Sequence, residues 1–327
     1  MRKVKFLHLI LLFITSILLV NCADKDNVKV IKLAHALDTE HPVHKAMVFM
    51  AERLTEKSNG SMRIDIYPGS QLGSERELIE LLQMGIIGIT KVSSATLENF
   101  VPSAKIFGMP YIFKDHEQYW RVLKSEIGKK ILLDCEDYWL RGLGYYDAGS
   151  RSFYTKEKPV VTPDDLSGLK IRVMKSQIAV KTIQALGGSA TPIVWGELYS
   201  ALQQGVVDAA ENNPPSFFFS RHYEICKYYS LDQHTSPPDM LIISKYQWNS
   251  LDEKQQQILQ EAVDESVEFQ RKLWKETEEE VLNKLKESGV EISRPDNTLF
   301  QKKVEALYEE YKDTELYDLL TKIREIE

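Results

Sequence analysis

Much of what this chain is can be learned first from what it lacks. Cysteine is scarce, three in 327 residues, and no two stand in a C-x-x-C pair, which removes the commonest zinc and redox arrangements. Also missing are G-x-S-x-G, H-E-x-x-H, a Walker loop and G-x-G-x-x-G. Gly142-Leu143-Gly144 is followed by Asp147 where the dinucleotide motif needs glycine, so it reads as part of a strand. Positive charge is in deficit: 41 Lys and Arg against 48 Asp and Glu leave a net charge of -7. Phosphate binding rests on a basic surface, so a nucleic-acid partner is excluded. There is no internal repeat, no low-complexity stretch and no Gly/Pro-rich joint, which argues for several chain crossings between domains over beads on a string.

What is present begins with an export signal. Arg2, Lys3 and Lys5 form a basic head, and Leu9 to Val20 is an apolar core too short to span a membrane. Residues 1–21 are therefore set apart from the fold. Leu19-Val20-Asn21-Cys22 resembles a bacterial lipobox, with Cys22 lipidated as the new N-terminus. The alternative is simple cleavage and secretion, which leaves fold and function unchanged. Cys135 and Cys226 then either pair or remain buried thiols. Removing three positive charges and no acid takes the formal charge from -7 to -10. Any anionic ligand must be held by a local cluster of cations working against that field.

About 305 mature residues, in a chain 43% apolar, suffice for two cores. Strand signals over Val28 to Ala36, Ser61 to Tyr67 and Gly85 to Ser93 alternate with helical stretches over Pro42 to Lys57 and Glu75 to Met84. A second set follows: strand Leu169 to Val173, helix Gln177 to Leu186, short helix Glu197 to Gln204 preceded by Trp195, and strand Val206 to Glu211. The alternation predicts mainly parallel sheets covered by helices. Ser74 with Glu77, Thr162 with Asp165, and Ser250 with Glu253 fit capping boxes, which explains several acids structurally. Leu251 to Glu287 reads as one amphipathic helix stopped at Gly289, long enough to lie across two lobes. His35, His41 and His44 cluster in sequence, yet no acid or cysteine stands at a metal-site spacing, so no metal is assigned.

Two arginines are more informative. Arg151 follows Gly149-Ser150 and opens a β-rich stretch; Arg172 sits in the otherwise mostly apolar Leu169-Lys170-Ile171-Arg172-Val173. A guanidinium fork matches a carboxylate bidentately, so each is a natural acid-binding group, or else one half of a structural salt bridge.

The chain resembles the substrate-binding proteins of tripartite ATP-independent periplasmic (TRAP) transporters, the DctP family, over essentially all of the mature sequence. The stretches that carry the likeness are Tyr67-Pro68-Gly69-Ser70-Gln71-Leu72-Gly73, Gly149-Ser150-Arg151, Asp165 to Val173, Trp195-Gly196-Glu197-Leu198-Tyr199-Ser200-Ala201-Leu202-Gln203-Gln204-Gly205, and Val207-Asp208-Ala209-Ala210-Glu211-Asn212. The resemblance implies an α/β fold of two lobes with a ligand cleft between them, a long helix crossing both, and delivery of ligand to separate TRAP membrane subunits. The lobes are set at 27–148 plus about 238–277, and 149–237 plus about 278–327.

The resemblance also implies roles. Arg172 corresponds to the principal carboxylate-binding arginine and Arg151 to a second cation; Asn212 to an amide that hydrogen-bonds ligand, with Glu211 beside it; Trp195 to an aromatic that lines the pocket. His35, Glu75, Ser93 and Lys175 match positions at or near the ligand in sialic-acid-binding members, but His35 and Ser93 depart from those members' asparagine and acid. His35-Ala36-Leu37, His41-Pro42-Val43-His44, Asn212-Asn213 and His234 through Asp239 are closer to members that bind hexuronates such as glucuronate or galacturonate. The expectation is an extracytoplasmic, lipid-anchored receptor for a small acidic sugar, without cofactor or catalysis. An exported glycan-active enzyme and a surface glycan-binding lipoprotein are the readings it must displace.

Overall fold

The computed structural model describes residues 28–326; the export signal and Cys22 lie outside them. Eleven strands form two sheets among the described residues. They are β1 (Lys29–Ala34), β2 (Met62–Tyr67), β3 (Ile89–Ser93), β4 (Leu140–Tyr146), β5 (Arg151–Thr155), β6 (Lys170–Val173), β7 (Ser189–Pro192), β8 (Ala209–Asn212), β9 (Tyr228–Thr235), β10 (Asp239–Ser244) and β11 (Glu291–Ser293). The first sheet runs β2-β1-β3-β10-β4 and the second β11-β9-β5-β8-β6-β7. Every residue of β3, β5 and β10 is buried, as expected for inner strands covered on both faces.

The sheets are mixed, which corrects the expectation of mainly parallel ones. β10 runs antiparallel to β3 and β4, and β5 antiparallel to β8 and β9. The cause is connectivity. Residues 147–150 carry the chain from β4 in the first sheet to β5 in the second, and 236–238 carry it back from β9 to β10. A strand arriving from the other sheet enters at the cleft and runs away from it, against strands that end there.

Helix Glu253–Glu287 is the third link between the halves, 35 residues or about 52 Å long. Its Leu259, Ala262, Val263 and Trp274 pack with Ile31, Leu33 and Leu143 under the first sheet, while Val281 and Leu285 pack with Tyr154, Phe217 and Tyr229 under the second. Its cap differs from the expected Ser250–Glu253 box. Ser250 Oγ donates to the Gln247 carbonyl in the preceding turn, and Asp252 with Gln255 forms the capping box two residues later. The Ser74–Glu77 and Thr162–Asp165 boxes are present. The final helices reach back across the molecule: Tyr308 Oη donates to the Pro110 carbonyl, and Gln118 Nε2 to those of Ile323 and Ile326. Cys135 and Cys226 are buried free thiols, each pushed by burial up to about 12. No helix of the described residues is long and apolar enough to cross a membrane.

The first crossing is clamped to the long helix. Gln270 accepts from Asp147 N at 2.7 Å and donates to Asp147 O at 2.8 Å, so one side chain satisfies both backbone groups of a buried residue. The Asp147 carboxylate accepts from His116 Nε2 at 2.6 Å, Trp120 Nε1 at 3.2 Å and Gly149 N at 2.9 Å. Gly149 has φ +57, and a Cβ there would lie 3.1 Å from Trp274 Nε1 and 3.2 Å from Glu278 Oε1, so glycine serves both the conformation and the close approach.

Burial, then the Asp147 charge, pushes Glu278 up to about 7, with Glu279 adding to the shift and His116 and Arg294 opposing it. A carboxyl whose pKa is higher folded than unfolded lowers stability as pH rises from its unfolded value towards its folded one. Glu278→Gln is accordingly expected to melt higher than the parent at pH 8 and at the same temperature at pH 4. Melting curves of the two proteins across that range check this; parallel curves would refute it.

Candidate ligand cleft

The strands β1, β2, β3, β6, β7 and β8 all end at the space between the sheets, and β5 and β10 begin there. This is where open α/β sheets place ligands, because backbone groups and loops at strand ends are free to face outward. The cleft and the open solvent at its mouth together span about 860 Å³.

On the second sheet's side, Arg172 is 2% exposed. Its Nε donates to the Ile193 carbonyl at 2.9 Å, its guanidinium lies 5.6 Å from the Trp195 ring centroid, and its buried Nη1 has no hydrogen-bond partner among the described residues. No carboxylate lies within salt-bridge distance among them. Burial, then repulsion from Arg151, brings its pKa down to about 10, so it remains charged at neutral pH. Arg151 is the opposite case. Its Nε and Nη2 bond the Glu211 carboxylate, Nη2 also the Glu211 carbonyl at 2.7 Å, and Nη1 donates to Asn212 Oδ1 at 2.8 Å. Burial works against that ion pair, but the pairing prevails: Arg151 is raised and Glu211 lowered to about 2. Behind Glu211 stands His234, 3.7 Å away and 2.8 Å from Asp232; the two acids outweigh burial and hold it up at about 9. Alternating charges thus fix Arg151 from within, while Arg172 presents a buried charge that no acid of the described residues pairs.

On the first sheet's side, Lys91 Nζ lies 3.0 Å from Glu75 Oε1 and 3.2 Å from Asp239. Glu75 also accepts from Thr96 Oγ1 at 2.8 Å and Ser93 N at 3.3 Å. Two acids share one lysine there. Burial raises Asp239, Lys91 opposes this and Glu75 adds to it.

Of the residues expected at the site, Arg172, Arg151, Asn212, Trp195, Glu75, Ser93 and Lys175 line this cleft; His35 and Glu211 do not. Glu211 is turned inward by Arg151. His35 is fully buried at the end of β1, where its Nδ1 accepts from Leu37 N at 3.1 Å and its Nε2 meets His44 Nδ1 at 3.0 Å; burial, then Lys91 and His44, lowers it to about 3. It shapes the turn without reaching the cleft. His41 does reach it, capping helix Pro42–Lys57 through Nδ1 and meeting Ser216 Oγ across the cleft at 3.2 Å. Asn213 and Asp239, from the hexuronate-like stretches, line it too, as do Lys91 and Ser216, which the sequence did not single out. Lys91 carried the same signal as Arg172, a lone cation in the apolar strand Ile89-Thr90-Lys91-Val92.

Comparison with known proteins agrees with this geometry. Residues 33–314 match the family model for bacterial extracellular solute-binding protein, family 7 (DctP). The C4-dicarboxylate-binding periplasmic protein DctP of Rhodobacter capsulatus is 31% identical over 261 residues, 80% of this chain and 78% of that one. A TRAP periplasmic solute-binding protein from Anaerococcus prevotii, solved with bound α/β D-glucuronate, is 38% identical with a TM-score of 0.87, covering 91% of this chain and 98% of its own. One from Xanthobacter autotrophicus with bound β-D-galacturonate is 36% identical with a TM-score of 0.88, covering 91% and 100%. By this family match and these likenesses in sequence and fold, the chain belongs to the DctP family of TRAP solute-binding proteins.

Proposed function

We propose that this protein is the extracytoplasmic receptor of a TRAP transporter, that it binds one hexuronate such as glucuronate or galacturonate, and that it hands it to the membrane subunits. The observation that carries the reading is Arg172: a buried guanidinium with a free donor and no acid beside it, opposite a wall of Glu75 and Asp239. The hexuronates bound in the relatives from Anaerococcus and Xanthobacter support the same class. In this reading Arg172 takes the ligand carboxylate by a charge-assisted fork, with Arg151 and Lys175 adding positive potential and Trp195 excluding water. Glu75, Asp239, Asn212 and Ser93 face the hydroxyls, while Glu211 and His35 hold the walls from behind.

The charge pattern separates this class from two others. A neutral hexose leaves Arg172 desolvated and unpaired. A dicarboxylate would bring its second charge against Glu75 and Asp239, which already share a single lysine. An enclosed cleft also suits a monomer better than the polymer a surface glycan-binding lipoprotein would hold. For the lobe limits we keep 27–148 with about 238–277, and 149–237 with about 278–327, helix Glu315–Glu325 reaching back to the first. We further assign Cys22 as the lipidated N-terminus that keeps the receptor at the outer face of the cytoplasmic membrane. A mature mass showing an unmodified cysteine would remove that assignment.

Calorimetry is expected to show one-to-one binding of a hexuronate and far weaker binding of the matching neutral hexose. Equal affinities for acid and neutral sugar would sink the reading.

Arg172→Ala should weaken hexuronate binding by about 2 to 5 kcal/mol, the range for truncating one side of a buried charge pair, or roughly 30-fold to several-thousand-fold. The ligand-free protein should melt near the parent temperature, since the arginine neutralises no acid of the fold. A sharp fall in melting temperature with affinity intact would make Arg172 a structural residue.

A further inference from the structure

The end of the first sheet farthest from the cleft carries an exposed apolar patch that the receptor function leaves unused. Trp139 and Tyr246 stack with ring centroids 5.2 Å apart and planes 10° from parallel, yet they are 55% and 52% exposed. Met84 and Ile86, 61% and 56% exposed, flank Gly85, where a Cβ would lie 3.2 Å from the Tyr246 ring. Large apolar side chains grouped in this way on a soluble surface mark an interaction site. Trp139 is also held at φ 61, a left-handed conformation that is costly for a bulky side chain.

The position of the patch suggests what covers it. The described chain starts beside it: Lys29 Nζ donates to the Ser250 carbonyl, at the end of the helical turn Lys245–Asn249 that bears Tyr246. From Val28 back to Cys22 is six residues, a reach of at most about 20 Å. A lipid on Cys22 would therefore hold this end of the first sheet within that distance of a bilayer. Of the charges nearby, Arg141 and Lys245 both pair with Glu136, so the cations beside the stacked rings are already neutralised. Tryptophan and tyrosine, with an apolar body and a polar edge, are the side chains that favour the lipid–water interface.

We propose that Trp139, Tyr246, Met84 and Ile86 form a foot that seats the tethered receptor on the lipid–water interface. This rests on the lipidation of Cys22 given above. The foot is too small to anchor the protein by itself, and it works because the tether keeps its local concentration high. Seating the first sheet by the end opposite the cleft leaves the second sheet's half free to close over ligand.

The test uses the whole chain, expressed in a bacterium with its own leader, extracted from membranes and reconstituted into phosphatidylcholine vesicles with brominated acyl chains. Intact mass reports whether Cys22 is acylated. Of the five tryptophans Trp139 is the most exposed, so bromine should quench a part of the fluorescence that disappears in Trp139→Phe. The quenching should also be lost in Met84→Asp/Tyr246→Asp, which keeps the indole and removes the foot, and it should persist in high salt. Hexuronate affinity and melting temperature of these surface variants should match the parent. Acylated protein without quenching, or quenching unchanged by either variant, overturns the foot while leaving the tether standing. Unmodified Cys22 overturns the tether, and the foot with it. Protection of Trp139 only when the transporter's membrane subunits share the vesicle would overturn the lipid assignment in favour of a protein one.

Discussion

A positive charge kept out of water without a neutralising acid is the constraint around which this cleft is organised. Arg172 sits in β6, fully covered, with one carbonyl bond and the face of Trp195 as its compensation. Neither equals the hydration that the guanidinium gives up, and its lowered pKa states the deficit. The surroundings decide where the deficit can be met. Arg151, whose charge could be confused with it, is tied to Glu211 by bonds from two of its nitrogens, and Glu211 is held in turn by His234 and Asp232. Glu211 is thereby kept from swinging across to Arg172, and an anion from solution is the partner that fits.

The same logic explains the opposite wall. Glu75 and Asp239 are drawn to Lys91, and Thr96 and Ser93 N take further lone pairs of Glu75, so the acids are rigid acceptors and not mobile counter-ions for Arg172. Rigidity here has selective value. A hydroxyl that misses a fixed buried acceptor leaves it unpaired, which costs more than a favourable hydrogen bond gains. Recognition of the ligand's uncharged end is thereby as demanding as recognition of its carboxylate.

Legibility in the sequence followed the range of the forces involved. Helix Pro42–Lys57 is visible because its proline, apolar spacing and end are local, and the expected bounds coincide with the observed ones. The long helix is visible from its periodicity, but its cap is not: Ser250 and Asp252 both offer a capping pattern, and only the turn that occupies Ser250 decides between them. Strand direction is less accessible still, since β5 and β10 are antiparallel to their neighbours on account of crossings that leave no local mark. At the site, Arg172 stands out as a cation in an apolar strand. Lys91 carries that signal too, yet its meaning depends on Asp239, 148 residues away. His35 misleads for a related reason: its position in the chain is beside the cleft, and only the hydrogen bonds to Leu37 and His44 turn its ring from it.

Closure can be weighed from the bridges that the protein itself makes across the cleft. His41 meets Ser216, Asn99 Nδ2 reaches the Lys175 carbonyl at 2.6 Å, and Glu98 accepts from Gln177 N at 2.5 Å. The first is buried, and the first two are neutral and each contributes on the order of 1 kcal/mol net; the third, to the Glu98 carboxyl, is partly buried. A carboxylate on Arg172, with hydroxyls on Glu75 and Asp239, joins both walls through charge-assisted bonds that gain strength as water leaves. Inside the cleft the ligand joins both walls with charge, and a ligand shifts a two-state equilibrium by no more than its differential affinity for the two states. The closed form is therefore governed by the molecule inside it, which is the property a receptor needs if its shape is to tell the membrane subunits that it is loaded.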